Sequence, residues 1–228
     1  MAQKTSIAVN TLVRDGDDFL EICITTILPY VNRVIITIDS RSKDRTLEIV
    51  EKLAKNPKVE FSVVDITNPH LDLVRARNSQ LKGIEEEFGW IVDSDEYHPF
   101  VSRITLGDKS AYGFLAWSPW TSTYAHKATS KNPIGRIFRM KTTLEWRGKF
   151  GKEILFDGNK KVFSDVELLP MRYIHFTHWK KDNWREEMNK KRVADSRLLV
   201  KMPDNVITYV KELSPLRKKD FQESYRLQ

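Results

Sequence analysis

The chain of 228 residues contains a single cysteine, Cys23. One thiol excludes an intrachain disulfide framework and a four-thiol zinc site, and suits a reducing compartment. Cys23 sits inside an apolar-periodic segment and reads as a small buried residue rather than a nucleophile. No apolar run approaches the roughly 20 residues that cross a bilayer as a helix. Met1 to Ser6 lacks the apolar core and cleavage site of a signal peptide. The expectation is a soluble protein of cytoplasmic location, with membrane or nucleic-acid association as the alternative. The chain also has no GxGxxG after its first apolar segment and no GxxxxGK[ST] anywhere, which excludes a dinucleotide-type fingerprint and a P-loop.

What is present is a sizeable apolar complement, 40% of residues, with six tryptophans. The net charge is +7. From Trp179 to Gln228 there are 13 Lys/Arg against 8 Asp/Glu, so most of the excess lies in the last fifth. Such a region suits an anionic partner, and equally a solvated basic helix.

Apolar runs and helical periodicities alternate through the first hundred residues. Ser6–Leu12, Val34–Ile38, Val59–Ile66 and Phe88–Val92 read as strands. Phe19–Leu28, Thr46–Leu53 and Leu73–Phe88 read as helices, the first closed by Pro29 and the second by Asn56-Pro57. This alternation predicts an α/β domain with a mostly parallel central sheet and crossover helices. After Pro99 the pattern becomes β-rich, with strands expected over Ala111–Trp117, Ile134–Met140, Trp146–Phe156 and Val166–His175. Helical spacing returns over Lys181–Met202 and Val206–Leu213. The predicted organisation is a nucleotide-binding half over 1–100, an acceptor-side half over 101–178, and a basic helical extension over 179–228.

The stretch Phe88-Gly89-Trp90-Ile91-Val92-Asp93-Ser94-Asp95-Glu96 is an apolar strand that ends in carboxylates. In open α/β sheets, ligands bind beyond the carboxyl ends of the strands. Two acids one residue apart can share a hard divalent cation, which in turn can clamp a diphosphate. On spacing alone the same acids are equally a solvated strand end. A second polar loop, Asp39 to Thr46, also begins where a buried strand ends. Asp39 can accept from a base N–H, and Ser42 or Asp44 can cap the helix from Thr46. Trp117 and Trp120 read as core or as stacking platforms for a sugar or base.

Taken in order, these segments resemble family 2 glycosyltransferases of the GT-A fold. Asp39-Ser40-Arg41-Ser42-Lys43-Asp44-Arg45-Thr46 resembles that family's D-x-G-S-x-D-R-T loop. Val13 to Leu20 is similar to its first βα turn, Ala76-Arg77-Asn78 to its A-R-N segment, and Asp93-Ser94-Asp95-Glu96 to its D-x-D[DE] metal site. Arg136-Ile137-Phe138-Arg139, with Trp146 to Glu153, resembles its R-L-F-R … G-x-[IV]-H-E segment, and Ile174-His175 its I-x-H region. Three positions depart from the pattern: Arg41 replaces a glycine, Lys152 a histidine, and Asp15 the usual asparagine.

The resemblance implies an inverting, metal-dependent transfer of a sugar from a nucleoside diphosphate, UDP above all, to a hydroxyl. Asp39 is then the nucleobase reader, Arg77 faces the diphosphate or helps order the site, Arg41 reaches a phosphate, Arg14 is a further donor-binding residue, and Asp93 lies near ribose or metal. Asp95 holds Mn²⁺ or Mg²⁺, with His175 as the distal ligand and His178 the alternative. Glu153 is the general base. The acceptor is a saccharide or lipid-linked saccharide, or a hydroxymethylated base in phage-type DNA held by the basic C-terminal region. The competing readings are a non-catalytic nucleotide-sugar or nucleic-acid-binding module, and a nucleotidyltransferase.

Overall fold

The computed structural model describes residues 5–119, 124–126, 134–149, 152–176 and 199–213. His178, Trp120, Trp179, Trp184 and most of the 179–228 region lie outside the described residues, so the expectations placed on them stay open.

Four strands follow the expected alternation: β1 (Ile7–Val13), β2 (Arg33–Asp39), β3 (Val59–Val64) and β4 (Phe88–Ile91). Three helices cross between them: α1 (Leu20–Ile27), α2 (Thr46–Leu53) and α3 (Pro69–Lys82). β2 and β4 flank β1 in parallel and β3 lies outside β2, giving the order β3-β2-β1-β4. The crossovers from β1 lead to one side through α1 and α2, and β4 lies on the other. The sheet therefore reverses its winding between β1 and β4, and that reversal opens a crevice beyond their carboxyl ends.

The second half completes an eight-stranded sheet with β5 (Glu96–Tyr97), β6 (Ala111–Trp117), β8 (Ile134–Arg139) and β12 (Glu167–His175). Here the pairing is mixed. β8 runs antiparallel to β4 and β6, β12 is parallel to β6, and β5 is antiparallel to β12. Four of the seven pairings are parallel, three of them in the first half, so the expectation of a mostly parallel sheet holds by a narrow margin. A separate hairpin, β9 (Leu144–Arg147) and β10 (Ile154–Asp157) with the short β11 (Lys160–Lys161), forms a three-stranded sheet. A third pairing joins β7 (Tyr124–His126) to β13 (Leu199–Lys201), and α4 (Asp204–Glu212) follows.

Three boundaries differ from the sequence pattern for local reasons. α3 starts at Pro69, because the Asn68 side chain caps it by accepting from the His70 N–H at 3.1 Å. It ends at Lys82 rather than running on to Phe88. The expected single strand Trp146–Phe156 is instead two strands and a turn. Gly148, at φ +119°, makes that turn, and a Cβ there would stand 2.5 Å from the Lys152 carbonyl oxygen. Leu199–Lys201, expected within a helix, is a strand.

The largest core cluster packs α1 and α2 against one sheet face through Val9, Leu20, Ile24, Ile36, Trp90 and Tyr173. Cys23 is fully buried, as its setting implied. Trp117 belongs to a second cluster with Phe19, Ile174 and Val206, and the Arg172 guanidinium covers its ring at 4.5 Å. That burial leaves Trp117 to the core rather than to a stacking platform. Among the described residues, no helix is long and apolar enough to cross a membrane.

Candidate functional site: an acidic and arginine-lined crevice

The two loops that leave β1 and β2 are stitched together by their own side chains. The Lys43 N–H donates to Asp15 Oδ1 at 2.8 Å, the Gly16 N–H to Thr46 Oγ1 at 2.8 Å, and the Asp17 N–H to Asp44 Oδ2 at 2.8 Å. Asp44 Oδ1 accepts from the Thr46 N–H at 3.0 Å in the turn that leads into α2, whereas the N-cap position is Arg45 and has no side-chain cap, so the expected capping by Ser42 or Asp44 is not seen. Most polar groups of the Asp39–Thr46 loop are thus spent on structure. Asp15 holds φ +50°, a region that Asn and Asp enter more readily than other side chains, so Asp can serve where Asn is usual. Gly16 lies tight against Ser94: a Cβ at Gly16 would stand 2.4 Å from Val13 Cγ2 and 3.3 Å from Ser94. The first loop is thereby seated on the Asp93–Glu96 turn.

Asp39 ends β2 with only 3% of its surface exposed. Its carboxylate takes a two-pronged contact from Arg41, Nε to Oδ1 at 3.0 Å and an NH2 group to Oδ2 at 2.8 Å. Arg14 stands 4.0 Å away. Burial pushes the Asp39 carboxyl up, but the bonds and charge of Arg41, with Arg14, hold it below the usual carboxylate range. Arg41 is thus folded back on Asp39 rather than extended toward a phosphate.

The Asp93–Glu96 turn meets the end of β12. Glu96 pairs with His175 across β5 and β12, and the Phe176 N–H donates to the Asp95 carbonyl at 2.9 Å. This register carries His175 to the acids from a distance in sequence of some eighty residues. One ligand atom each from Asp93, Glu96 and His175 lies within 4.8 Å of the others. His175 Nε2 is also 3.5 Å from Asp95 Oδ2. Asp95 is nearly buried, whereas the Asp93 side chain is about one-third exposed, at 34%.

Arg136, on β8, closes the group. Its NH2 group donates to Asp93 Oδ2 at 3.1 Å and to Glu96 Oε1. The Glu96 carboxylate, fully buried, also accepts from the Asp93 N–H at 3.2 Å. His98, buried as well, stacks on Tyr173 at 5.0 Å with its Nε2 3.9 Å from Glu96 Oε2. Burial opposes the charge of Asp93, yet Arg136 and Arg77 outweigh it and keep its carboxyl below the usual range. On the α3 side, Arg77 lies over the Trp146 ring at 5.1 Å. One of its terminal nitrogens is buried and finds no hydrogen-bond partner among the described residues.

Asn78 ties the hairpin to this wall. Its side chain accepts from the Trp146 N–H at 2.8 Å and donates to the Trp146 carbonyl at 3.0 Å. Glu153 lies at the start of β10, where Ile154 pairs with Arg147 next to Trp146. It is half-buried and forms no ion pair with Lys149 or Lys152.

The expected residues fall into separate groups: Arg14, Asp39 and Arg41 at the end of β2, Asp93, Asp95 and His175 with Arg77 acting on Asp93, and Glu153 on the β9–β10 hairpin. Sequence reading left Glu96 without a function and gave none to Arg136 or His98. Arg136 carried two readable signals, a charged residue inside an apolar strand and the first position of the Arg136-Ile137-Phe138-Arg139 resemblance.

The donor set suits a divalent cation. Asp93 and Glu96 offer hard oxygens and His175 an imidazole, a combination that fits Mn²⁺ better than Mg²⁺.

His175 also makes a testable pH signature. Burial lowers its pKa, but the charges of Asp95, Glu96 and Asp93 outweigh burial and raise it. Its ion-pair contribution to stability is complete below about pH 6.5, the unfolded value, and is lost as pH rises through the higher folded value. His98 has the opposite sign: burial lowers its pKa, so stability is lost as pH falls below about 6.5. The melting temperature of the cation-free protein is expected to decline on the alkaline side of about pH 6.5, and His175→Asn should remove that decline while keeping the acid-side one. Melting curves from pH 5 to 9 check this, and an unchanged alkaline slope in the variant would show that His175 is not the group responsible.

Fold and site together define a class, an α/β domain with acids and arginines gathered at the carboxyl ends of its first strands. Residues 6–103, somewhat under half of the chain, match the family model Glycosyl transferase family 2, and this segment is similar to that family. The chain is also similar to solved structures. S. aureus TarS 1–349 in complex with UDP-GlcNAc shares 19% identity over 60% of this chain and 46% of that one, with a TM-score of 0.42. Glucosyl-3-phosphoglycerate synthase from Mycobacterium tuberculosis, in complex with Mg²⁺ and uridine-diphosphate, shares 16% over 50% and 44%, with a TM-score of 0.38. The inositol-1-phosphate CTP transferase from T. maritima shares 10% over 60% and 68%, with a TM-score of 0.39. The chain spans about half the length of the TarS 1–349 structures it matches, 47% of one and 46% of another. No curated protein matches it.

Proposed function

We propose that this protein is an inverting glycosyltransferase that moves a sugar from a nucleoside diphosphate, UDP in the first instance, to an acceptor hydroxyl. The observation that carries the reading is the grouping of Asp93, Glu96 and His175, with the charge of Arg77 acting on Asp93, where the acids lie in the segment that matches the family 2 model. In this reading residues 1–100 bind the nucleotide sugar, 101–178 form the acceptor side of the same domain, and 179–228 are a basic extension.

Asp39 reads the base, with Arg14 and Arg41 beside it. The buried, unpartnered nitrogen of Arg77 is aimed at an anion and takes the diphosphate. Asp93, Glu96 and His175, with Asp95 against the imidazole, hold Mn²⁺ or Mg²⁺. That cation, when bound, neutralises charge on the leaving diphosphate. Glu153 takes the proton from the acceptor hydroxyl as its oxygen attacks the anomeric carbon. The bond from that carbon to the diphosphate oxygen breaks, and the electron pair leaves with the diphosphate. A single displacement inverts the anomeric centre. The acceptor is a saccharide or lipid-linked saccharide.

The test is a melting-temperature screen with UDP, UDP-sugars, CTP and GDP-sugars, with and without Mn²⁺, followed by transfer assays on saccharide, lipid-linked and hydroxymethylated DNA acceptors. A UDP-sugar stabilises the protein by about 2.7 kcal/mol at a hundredfold excess over its Kd, and at a fixed concentration it stabilises more with Mn²⁺ than without. Transfer to DNA alone would move the acceptor to nucleic acid. Preference for CTP would favour nucleotidyl transfer, and binding without transfer to any acceptor would favour a non-catalytic module.

A further inference from the structure

We propose that Arg136 is a built-in counter-ion that competes with the divalent cation for its own ligands and so sets how tightly the cation binds. This rests on the reading of Asp93, Glu96 and His175 as the cation's ligands. The guanidinium occupies both carboxylates of that set, with contacts to Asp93 Oδ2 at 3.1 Å and to Glu96 Oε1. Its side chain is 13% exposed, its Nε is buried with no hydrogen-bond partner among the described residues, and Tyr173 lies under it with the ring centre 5.9 Å away. Arg136 is therefore fixed by β8 and its packing rather than extended into solvent.

Charge arithmetic shows what such a group does. Asp93, Asp95 and Glu96 carry three negative charges. Arg136 and Arg77 carry two positive ones, so the acids and arginines sum to minus one with no cation present. A divalent cation adds two charges, which leaves an excess of one. That excess favours an anionic diphosphate and penalises a cation on its own. An arginine cannot relieve the penalty by losing its proton, because guanidinium stays charged at any working pH. Without Arg136 the acids and Arg77 sum to minus two and the cation brings them to zero. The cation should then bind tightly without a nucleotide.

The experiment is a titration of wild type, Arg136→Gln and Arg136→Lys with Mn²⁺ alone, read by the electron paramagnetic resonance signal of free Mn²⁺ and by melting temperature. Arg136→Gln is expected to bind Mn²⁺ about tenfold or more tightly, since a like charge a few ångströms away is gone. Its melting temperature should rise with Mn²⁺ more steeply than that of wild type. Arg136→Lys keeps the charge but loses the forked contact, and should fall between the two. It also carries the test if the glutamine variant does not fold. Wild type binding Mn²⁺ with no gain in either folded variant would overturn the proposal and leave the cation site standing. Binding in neither wild type nor variants would overturn both.

Discussion

Glu153→Gln is expected to lower sugar transfer by a factor of about 10² to 10⁴, the range that general base catalysis contributes, while nucleotide affinity stays near wild type. The amide keeps the shape of the carboxylate and removes its ability to accept a proton from the acceptor hydroxyl. The separation of the two effects follows from where Glu153 sits. It belongs to the hairpin β9–β10, not to the strand ends that carry Asp39 and Asp93. The hairpin reaches the site only through Trp146, which Asn78 grips at both backbone groups and which Arg77 covers. Glu153 is half-buried and forms no ion pair with either neighbouring lysine, Lys149 or Lys152, so its carboxylate is not committed to a local salt bridge. Transfer assays with a UDP-sugar, together with nucleotide binding by calorimetry, distinguish the outcomes. Full activity in Glu153→Gln would remove the residue from the chemistry. Equal loss of binding and transfer would make it a positioning residue for the hairpin.

The parallel half of the fold was legible because each strand is a short apolar run bounded by polar turns, and each helix carries its own periodicity. Local chemistry sufficed there: Pro29 after α1, Asn56-Pro57 after α2. What failed to read was non-local. Trp146–Phe156 reads as one strand on apolar content, and only the left-handed backbone at Gly148 divides it. Leu199–Lys201 follows a stretch of helical spacing and becomes a strand because β7 pairs with it.

The site divides the same way. Asp39, Asp93 and Asp95 were legible as acids ending apolar strands. Ser42, Asp44 and Thr46 were legible as a motif, but the structure shows that Asp44 and Thr46 hold the first loop in place and that Ser42 accepts from Asp15 N–H at 3.3 Å. Glu96 and Arg136 were the hardest to assign. They are forty residues apart, and they meet only because β8 inserts antiparallel beside β4 while β5 folds onto β12. Spacing along a chain carries no trace of such a contact.

Glu96→Ala is expected to be the most destabilising substitution in the site, at about 3–5 kcal/mol. Glu96 is fully buried and serves two donors, the Arg136 guanidinium and the Asp93 N–H. Its removal leaves a buried arginine with Asp93 alone, and Asp93 is itself partly exposed. It also leaves a backbone N–H without its acceptor. The cost is that of breaking a buried pair from one side, which exceeds what the intact pair contributes. For a chain of this size the melting temperature should fall by roughly 6–20 °C, at about 2–4 °C per kcal/mol. The double variant Glu96→Gln with Arg136→Met should recover part of that loss, because both charges leave together and no ion is stranded. Thermal unfolding followed by circular dichroism measures all three proteins. A single variant melting within about 2 °C of wild type would mean that less than about 1 kcal/mol resides in the contact, too little for a buried ion pair. A double variant no more stable than the single one would show that the loss does not come from stranding the guanidinium.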